Sequence, residues 1–239
     1  MNILILVKLL VAHAVGDFFL QTDGICEGKK AKGSERMMYL GLHSLINAAL
    51  AYILVADWVC WMIPVVIFIS HFVIDLIKTS LDSEHVGIFI VDQLAHIAVL
   101  VGIWAWMTDT DVTLTVKWAV DYRVWLVVLC YLLALKPSSI LLGLFISKWT
   151  PTKNEQNSLP SAGTWIGYLE RILILTFILL GCMEGIGFLL AAKSIFRFGE
   201  LTKPREVKIT EYVMIGTFSS FAIAIILGAF ALAVIQGKI

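Results

Sequence analysis

The chain has 239 residues, 59% of them hydrophobic and 15% charged, with 18 basic against 18 acidic side chains and a mean hydropathy of +0.90. Soluble domains carry about 25% charged residues, and a water-soluble fold of this length cannot bury so much apolar surface in one core, so the composition points to an all-α, polytopic transmembrane helical bundle. The balanced charge excludes bulk nucleic-acid binding, and the widely spaced Cys26, Cys60, Cys130 and Cys182 form neither a CxxC pair nor a disulfide framework.

A membrane span needs about 20 apolar residues. The first apolar run covers residues 2–21. It carries His13 and Asp17 and no A-x-A cleavage pattern, which reads as a retained span. Runs at 38–56, 58–81 and 86–107 follow, the first two joined by a tight turn at Asp57. After a polar loop at 108–121, the stretch 122–149 is interrupted by Lys136 and Pro137, and a proline there breaks or kinks a helix. A second polar loop at 150–163 leads into 164–198, too long for one straight span, with Gly181, Gly185 and Gly187 as places to bend. The last run covers 212–236.

Basic residues near span ends set orientation. Lys29, Lys30, Lys32 and Arg36 place the loop after the first span in the cytoplasm, and Lys78 places the third link there too. The turn at Asp57 and the loop with Asp109 and Asp111 go outside. Lys193, Arg197, Lys203, Arg205 and Lys208 also call for the cytoplasm, which fits this count if 122–149 is a re-entrant, Pro137-centred hairpin. Six full spans plus that hairpin, both termini outside, is the expected topology. Residues 1–107 then form one membrane unit and 108–239 a second, interrupted half.

Ionisable side chains within spans are costly and point to function. Here they repeat: His13 and Asp17 on the first span, His43 and Asn47 on the second, His71, Asp75 and Lys78 on the third, Asp92, Gln93 and His96 on the fourth. Residues four apart share a helix face, one turn apart. Span direction puts all four pairs at one depth beneath the cytoplasmic face. The segments 12–17 (AHAVGD) and 70–75 (SHFVID) also form an internal repeat, as expected of two parallel hairpins around an axis along the membrane normal.

Imidazole and carboxylate together are ligands for Zn, Mn or Fe, and helix bundles build metal sites from facing helices at this spacing. His13, Asp17, His43, His71, Asp75, Asp92 and His96 are the candidate ligands, for one metal or for two bridged by an Asp. A metal-bound water becomes a nucleophile near neutral pH, so a metal-dependent hydrolase is the leading reading. Its catalytic groups are His13, Asp17, His71, Asp75 and Lys78, with Lys78 against the phosphate of a lipid-linked or other phosphate-containing substrate. Lys29, Lys30 and Lys32 can meet lipid phosphate at the surface.

Any one such pair is explained by an interhelical hydrogen bond; it is the set of four at one depth that favours a site. Gln21, Asn47 and Gln93 are read as hydrogen-bonding supports, and His85 as solvated. Two other functions use the same residues differently: a cation or proton transporter along the polar layer, or a non-catalytic module docking a cytoplasmic partner through residues 24–36. In the second half, Glu170 and Glu184 share a face if their helix is continuous, and Lys193 and Arg197 can bind lipid phosphate.

The helices carrying His13-x3-Asp17-Phe18-x2-Gln21, Ser70-His71-x3-Asp75-x2-Lys78 and Asp92-Gln93-x2-His96 resemble the bacterial membrane-protein family catalogued as domain of unknown function 3307. The likeness covers about residues 1–107, and the stretch from Leu169-Glu170-Arg171 to Glu211-Tyr212 resembles the family's longer members. The resemblance implies a multi-pass protein of the bacterial inner membrane, in contact with membrane lipids, and carries no assigned activity.

Overall fold

The computed structural model describes residues 3–81, 85–109, 121–149, 161–198 and 204–237. Among these residues all regular structure is helical. The chain divides into two compact units, Met1–Leu132 and Leu133–Ile239. Asp111, Lys203 and the side chains of Asp109, Arg197, Arg205 and Lys208, all used above for orientation, lie outside the described residues, as does most of the 150–163 loop.

Unit 1 opens with α1 (Ile3–Ala14), which runs on through one π turn, Val15–Phe19. That turn is closed by Leu20 N–H donating to the Val15 carbonyl at 2.9 Å. The chain then turns by 86° into α2 (Asp23–Lys30). Thr22 caps α2, accepting from the Ile25 N–H. The expected loop at 24–36 is therefore mostly helix, with Ile25, Gly28 and Lys29 buried against the bundle. A Cβ on Gly28 would stand 2.2 Å from the Tyr39 ring, so only glycine lets α2 pack this closely on α3.

Helices α3 (Ser34–Val55), α4 (Met62–Ser80) and α5 (Val86–Asp109) complete the first bundle. Ala56, in the left-handed conformation, ends α3. In the turn that follows, the Asp57 carboxylate accepts the Val59 N–H. Pro64 falls in the first turn of α4, where its missing N–H would have no partner. Arg36 reaches the other end of α4, donating to the Leu76 carbonyl, Thr79 Oγ1 and Ser80 Oγ.

The core is apolar and small-sided. Ile5, Leu9 and Ala12 meet Ala48, Ala51 and Val55 of α3, Ile63 and Ile67 of α4, and Leu100, Ile103 and Met107 of α5. Alanines at helix contacts let backbones approach where lipid removes any hydrophobic drive to associate. The outward faces are apolar too, as Leu45, Ile53, Ile69, Ile77 and Val91 show by their exposure.

In the second half the chain corrects one expectation. The break at Pro137 is present: α6 (Tyr122–Ala134) stops and α7 (Lys136–Ile146) starts after a distorted Leu135. Yet 122–149 does not turn back as a re-entrant hairpin; it continues as one 28-residue apolar run. The broken turn is mended in place. Ser138 Oγ donates to the Leu133 carbonyl at 2.6 Å, and Arg171 donates to the carbonyls of Ala134 and Leu135. Backbone groups satisfied this way can sit at membrane depth without the chain reversing.

The reversal lies at Gly181 instead. α8 (Ala162–Leu180) ends there with φ 73°, and Cys182 N–H donates to the Phe177 carbonyl at 2.8 Å while Gly181 N–H donates to that of Ile178, a Schellman ending. α9 (Met183–Phe198) then runs back along α8. A Cβ on Gly185 would touch Phe177, and Lys193 reaches Glu170 at 2.6 Å. α10 (Pro204–Ile235) packs beside α8. The helix through 164–198 is thus not continuous, and Glu184 sits exposed in the first turn of α9 rather than sharing a face with Glu170. This turn, and not Pro137, carries Lys193 back alongside α8 to Glu170.

Among the described residues six runs are long and apolar enough to cross a membrane: α3, α4, α5, α6 with α7, α8, and the 210–235 part of α10. α1 with its π turn falls just short, and with α2 forms a bent seventh candidate. These helices are compatible with a multi-pass membrane protein.

Candidate metal centre

Four helices of unit 1 bring their polar pairs inward. His13 and Asp17 come from α1 and its π turn, His43 and Asn47 from α3, His71 and Asp75 from α4, and Asp92 and His96 from α5. The exposure of His13 is 8%, of His43 0%, of His71 2% and of His96 3%. The four rings form one cluster, with centroids 4.1 Å apart for His71 and His96, 4.9 Å for His43 and His71, and 5.1 Å for His13 and His96. Helix direction sorts the side chains into two layers. Asp17, His43, Asp75 and Asp92 lie toward the end of the bundle that carries Lys29, Arg36 and Lys78. His13, Asn47, His71 and His96 lie one turn deeper.

The tightest set is His43 Nε2, His71 Nε2, Asp17 Oδ1 and Asp75 Oδ2. The two nitrogens are 3.0 Å apart. Asp17 Oδ1 is 3.2 Å from His43 and 3.1 Å from His71. Asp75 Oδ2 is 3.6 Å from His43 and 3.9 Å from His71. A metal held at about 2.1 Å puts neighbouring ligand atoms about 3.0 Å apart at a right angle and about 3.4 Å apart at the tetrahedral angle. Facing ring nitrogens at this separation either share a proton or turn both lone pairs to a cation.

Asn47 lies in the midst of this set. Its Nδ2 is 3.0 Å from Asp17 Oδ1 and 3.2 Å from His71 Nε2, while its Oδ1 is buried without a partner. A Cβ on Gly16 would fall 2.0 Å from that oxygen, so the glycine in the π turn makes room for the amide. A half-turn of the amide would present the oxygen to the ring nitrogens as another neutral ligand. π turns inside α-helices are frequent at functional sites, and this one carries Asp17.

Two lysines are part of the centre. Lys29 of α2 is 5% exposed and its Nζ lies 2.5 Å from Asp75 Oδ2. The sequence reading left it at the surface, meeting lipid phosphate; the structure buries it. The signal was there in the Ile25, Gly28, Lys29 spacing, one face of a short amphipathic helix. Lys78, expected to face a phosphate, is instead bonded to Asp92 Oδ2 at 2.6 Å, although its side chain stays 35% exposed. Gln93 bridges His13, at 3.3 Å, and Asp92, at 3.1 Å, and so acts as the support it was read to be. Gln21 lies outside the centre, donating to Cys26 Sγ, and His85 is exposed before α5.

Beside the deeper layer is a small cavity of about 10 Å³, lined by His13, Asn47, Ser70, His71 and His96 on its polar side and by Leu9, Ile67 and Leu100 on its apolar side. That is room for about one water. The buried His and Asp side chains can hold a metal ion.

Among the described residues of unit 2 the polar side chains pair with one another and with the backbone. Arg171 is 2% exposed and donates to Ser220 Oγ and Ser139 Oγ as well as to the broken turn. Glu170 pairs with Lys193.

No curated protein and no solved structure matches the chain. One family does match: the model described as Protein of unknown function (DUF3307) covers residues 5–142. That range is more than half of the chain and takes in all of the polar cluster, so the chain belongs to the DUF3307 family.

Proposed function

We propose that unit 1 is a membrane-embedded, metal-dependent hydrolase whose cation sits among His43, His71, Asp17 and Asp75. The observation that carries the reading is that the two ring nitrogens lie 3.0 Å apart and each lies 3.1–3.9 Å from an oxygen of both Asp17 and Asp75, the four residues coming from three helices. Zn, Mn and Fe all accept this mixed nitrogen and oxygen set. A bound divalent ion supplies Lewis acidity and lowers the pKa of an adjacent water. The cavity beside His13, His71 and His96 gives that water a place, and His13 stands ready to take its proton. A phosphate-containing or lipid-linked substrate reaches the site from the end that carries Lys78, the most accessible member of the cluster. The attacking water forms the new bond, the ester bond breaks, and the proton passes to the leaving oxygen. The same reading places the protein in the bacterial inner membrane with this end toward the cytoplasm, in keeping with its basic residues.

The transport reading uses the same residues but finds less support. Past the imidazole layer the bundle is closed by Leu9, Ala51, Val55, Ile63, Ile67, Leu100 and Ile103, and no polar path continues through that plug among the described residues. Elemental analysis of purified protein tests the proposal, with a His71→Ala/Asp75→Ala variant alongside. Stoichiometric metal in the wild type and none in the variant is the expected result. Metal-loaded protein is then assayed on phosphate esters, and proteoliposomes on divalent-cation and proton flux. Wild type without metal ends the metal claim; flux without turnover exchanges the hydrolase for a transporter.

A further inference from the structure

A second carboxylate and imidazole set lies against the first and uses Asp75 again. Ligand atoms of Asp75, Asp92 and His96 lie within 4.8 Å of one another, and all three residues are buried. Nδ1 of His96 is 2.9 Å from the Asp92 carbonyl oxygen. That bond places the ring proton on Nδ1 and leaves the Nε2 lone pair free. His96 Nε2 and Asp92 Oδ1 are both buried without a hydrogen-bond partner. Two such acceptors, unpaired in a low-dielectric interior, are costly unless something positive meets them.

The charge of the cluster argues the same way. Asp17, Asp75 and Asp92 bring three negative charges, and Lys29 and Lys78 return two. Among these charged side chains the carboxylates outnumber the ammonium groups by one. Moreover, each ammonium sits on an oxygen that a metal would use, Lys29 on Asp75 Oδ2 and Lys78 on Asp92 Oδ2. A lysine is a point charge on a flexible four-carbon stem and can withdraw. Lys78 is already partly in contact with the outside, and Lys29 is carried by α2, a separate short helix.

We infer that the centre is dinuclear. One divalent cation is held by Asp17, His43, His71 and Asp75, and a second by Asp75, Asp92 and His96, with the Asp75 carboxylate bridging. Lys29 and Lys78 are the counter-ions of the metal-free form and leave their oxygens when metal enters. Paired ions about 3.5–4 Å apart clamp the attacking and leaving oxygens of an in-line displacement at phosphorus, so a phosphate ester is the substrate class that fits. The inference rests on the first cation proposed above.

The test uses the full-length protein in detergent, stripped with a chelator and reloaded with Mn(II) alone, with Zn(II) in parallel. Elemental analysis counts the ions and electron paramagnetic resonance reads whether the manganese ions are coupled. The expected result is two ions per chain with an exchange-coupled spectrum. Asp92→Asn and His96→Gln should each fall to one ion and show the hyperfine pattern of an isolated manganese, and Asp75→Asn should abolish the coupling. One uncoupled ion in the wild type overturns the pair and leaves the single-cation reading standing. No bound ion overturns both. Because the wild-type count and spectrum decide the matter, a variant that fails to fold does not remove the test.

Discussion

Each unit buries charged side chains within its helices, and each settles them differently. In unit 2, Arg171 spends its donors on the carbonyls of the break at Leu135 and on Ser139 and Ser220, and Glu170 is matched by Lys193. In unit 1, the four-helix cluster keeps acceptors with nothing to accept: Asn47 Oδ1, Asp92 Oδ1 and His96 Nε2. A charge that completes a neighbour's hydrogen bonding is serving the fold. A set of buried acceptors left over after such pairing is room for a ligand. The contrast predicts that unit 2 substitutions change stability and leave binding alone, while unit 1 substitutions do the reverse.

The largest effect belongs to Arg171. In Arg171→Met the carbonyls of Ala134 and Leu135 and two hydroxyls lose their donor within the membrane, and each buried unsatisfied group costs about 1–3 kcal/mol. A total of about 3 kcal/mol or more is expected, seen as a large drop in thermal midpoint in detergent. Arg171→Lys should recover only part of it, since an ammonium lacks the planar fork that reaches several acceptors at once. Metal bound per folded chain should not change. A variant melting like the wild type would break the comparison at its structural end.

His71→Ala tests the other end. His71 is the ring that touches His43, Asp17 and Asp75 and lies tilted against His96. Its loss should weaken metal binding about a hundredfold, which is about 2.7 kcal/mol, while the metal-free melting midpoint moves much less. If the midpoint collapses and the metal affinity of the remaining folded protein is unchanged, the cluster is interhelical glue and the two units do not differ in kind.

Much of this division was legible from residue spacing, and the parts that were not have physical reasons. The pairs at i and i+4 on four apolar runs gave the cluster, because span direction alone fixes their depth. Lys29 was missed because a basic residue near a span end reads as an orientation signal; the Ile25, Gly28, Lys29 spacing marks the buried face of α2, but the 86° turn before that helix leaves no periodicity. The reversal at Gly181 was one of three glycine positions open in the sequence. Pro137 looked the better hairpin because a proline removes a backbone donor, and what keeps that break straight is Arg171, far along the chain.

Lys29→Met sharpens the comparison with a sign. If Lys29 is the counter-ion of the metal-free state, removing it takes a competitor off Asp75. Metal affinity should then rise by about tenfold, about 1.4 kcal/mol, while the metal-free protein becomes less stable, because a buried carboxylate has lost its partner. The two changes in opposite directions are measured by metal titration and by melting with and without metal. A fall in both would make Lys29 a structural residue like Arg171.

The smallest expected effect is in Glu170→Gln, and its smallness is informative. The Glu170–Lys193 pair is the closest ion pair described in unit 2, yet the Lys193 side chain is 27% exposed, and pairs that water can screen contribute about 0–1 kcal/mol. Glutamine keeps the shape and an acceptor for Lys193. A melting shift within about 1 kcal/mol, with metal stoichiometry untouched, is therefore the expected outcome. A change in metal content would show that a carboxylate of unit 2 serves a bound cation, and buried charge in this unit would then need the explanation given for unit 1. Without that change, a short ion pair in a membrane helix is no sign of a site by itself, and the unpaired acceptors beside Asp92 and His96 are the better marker.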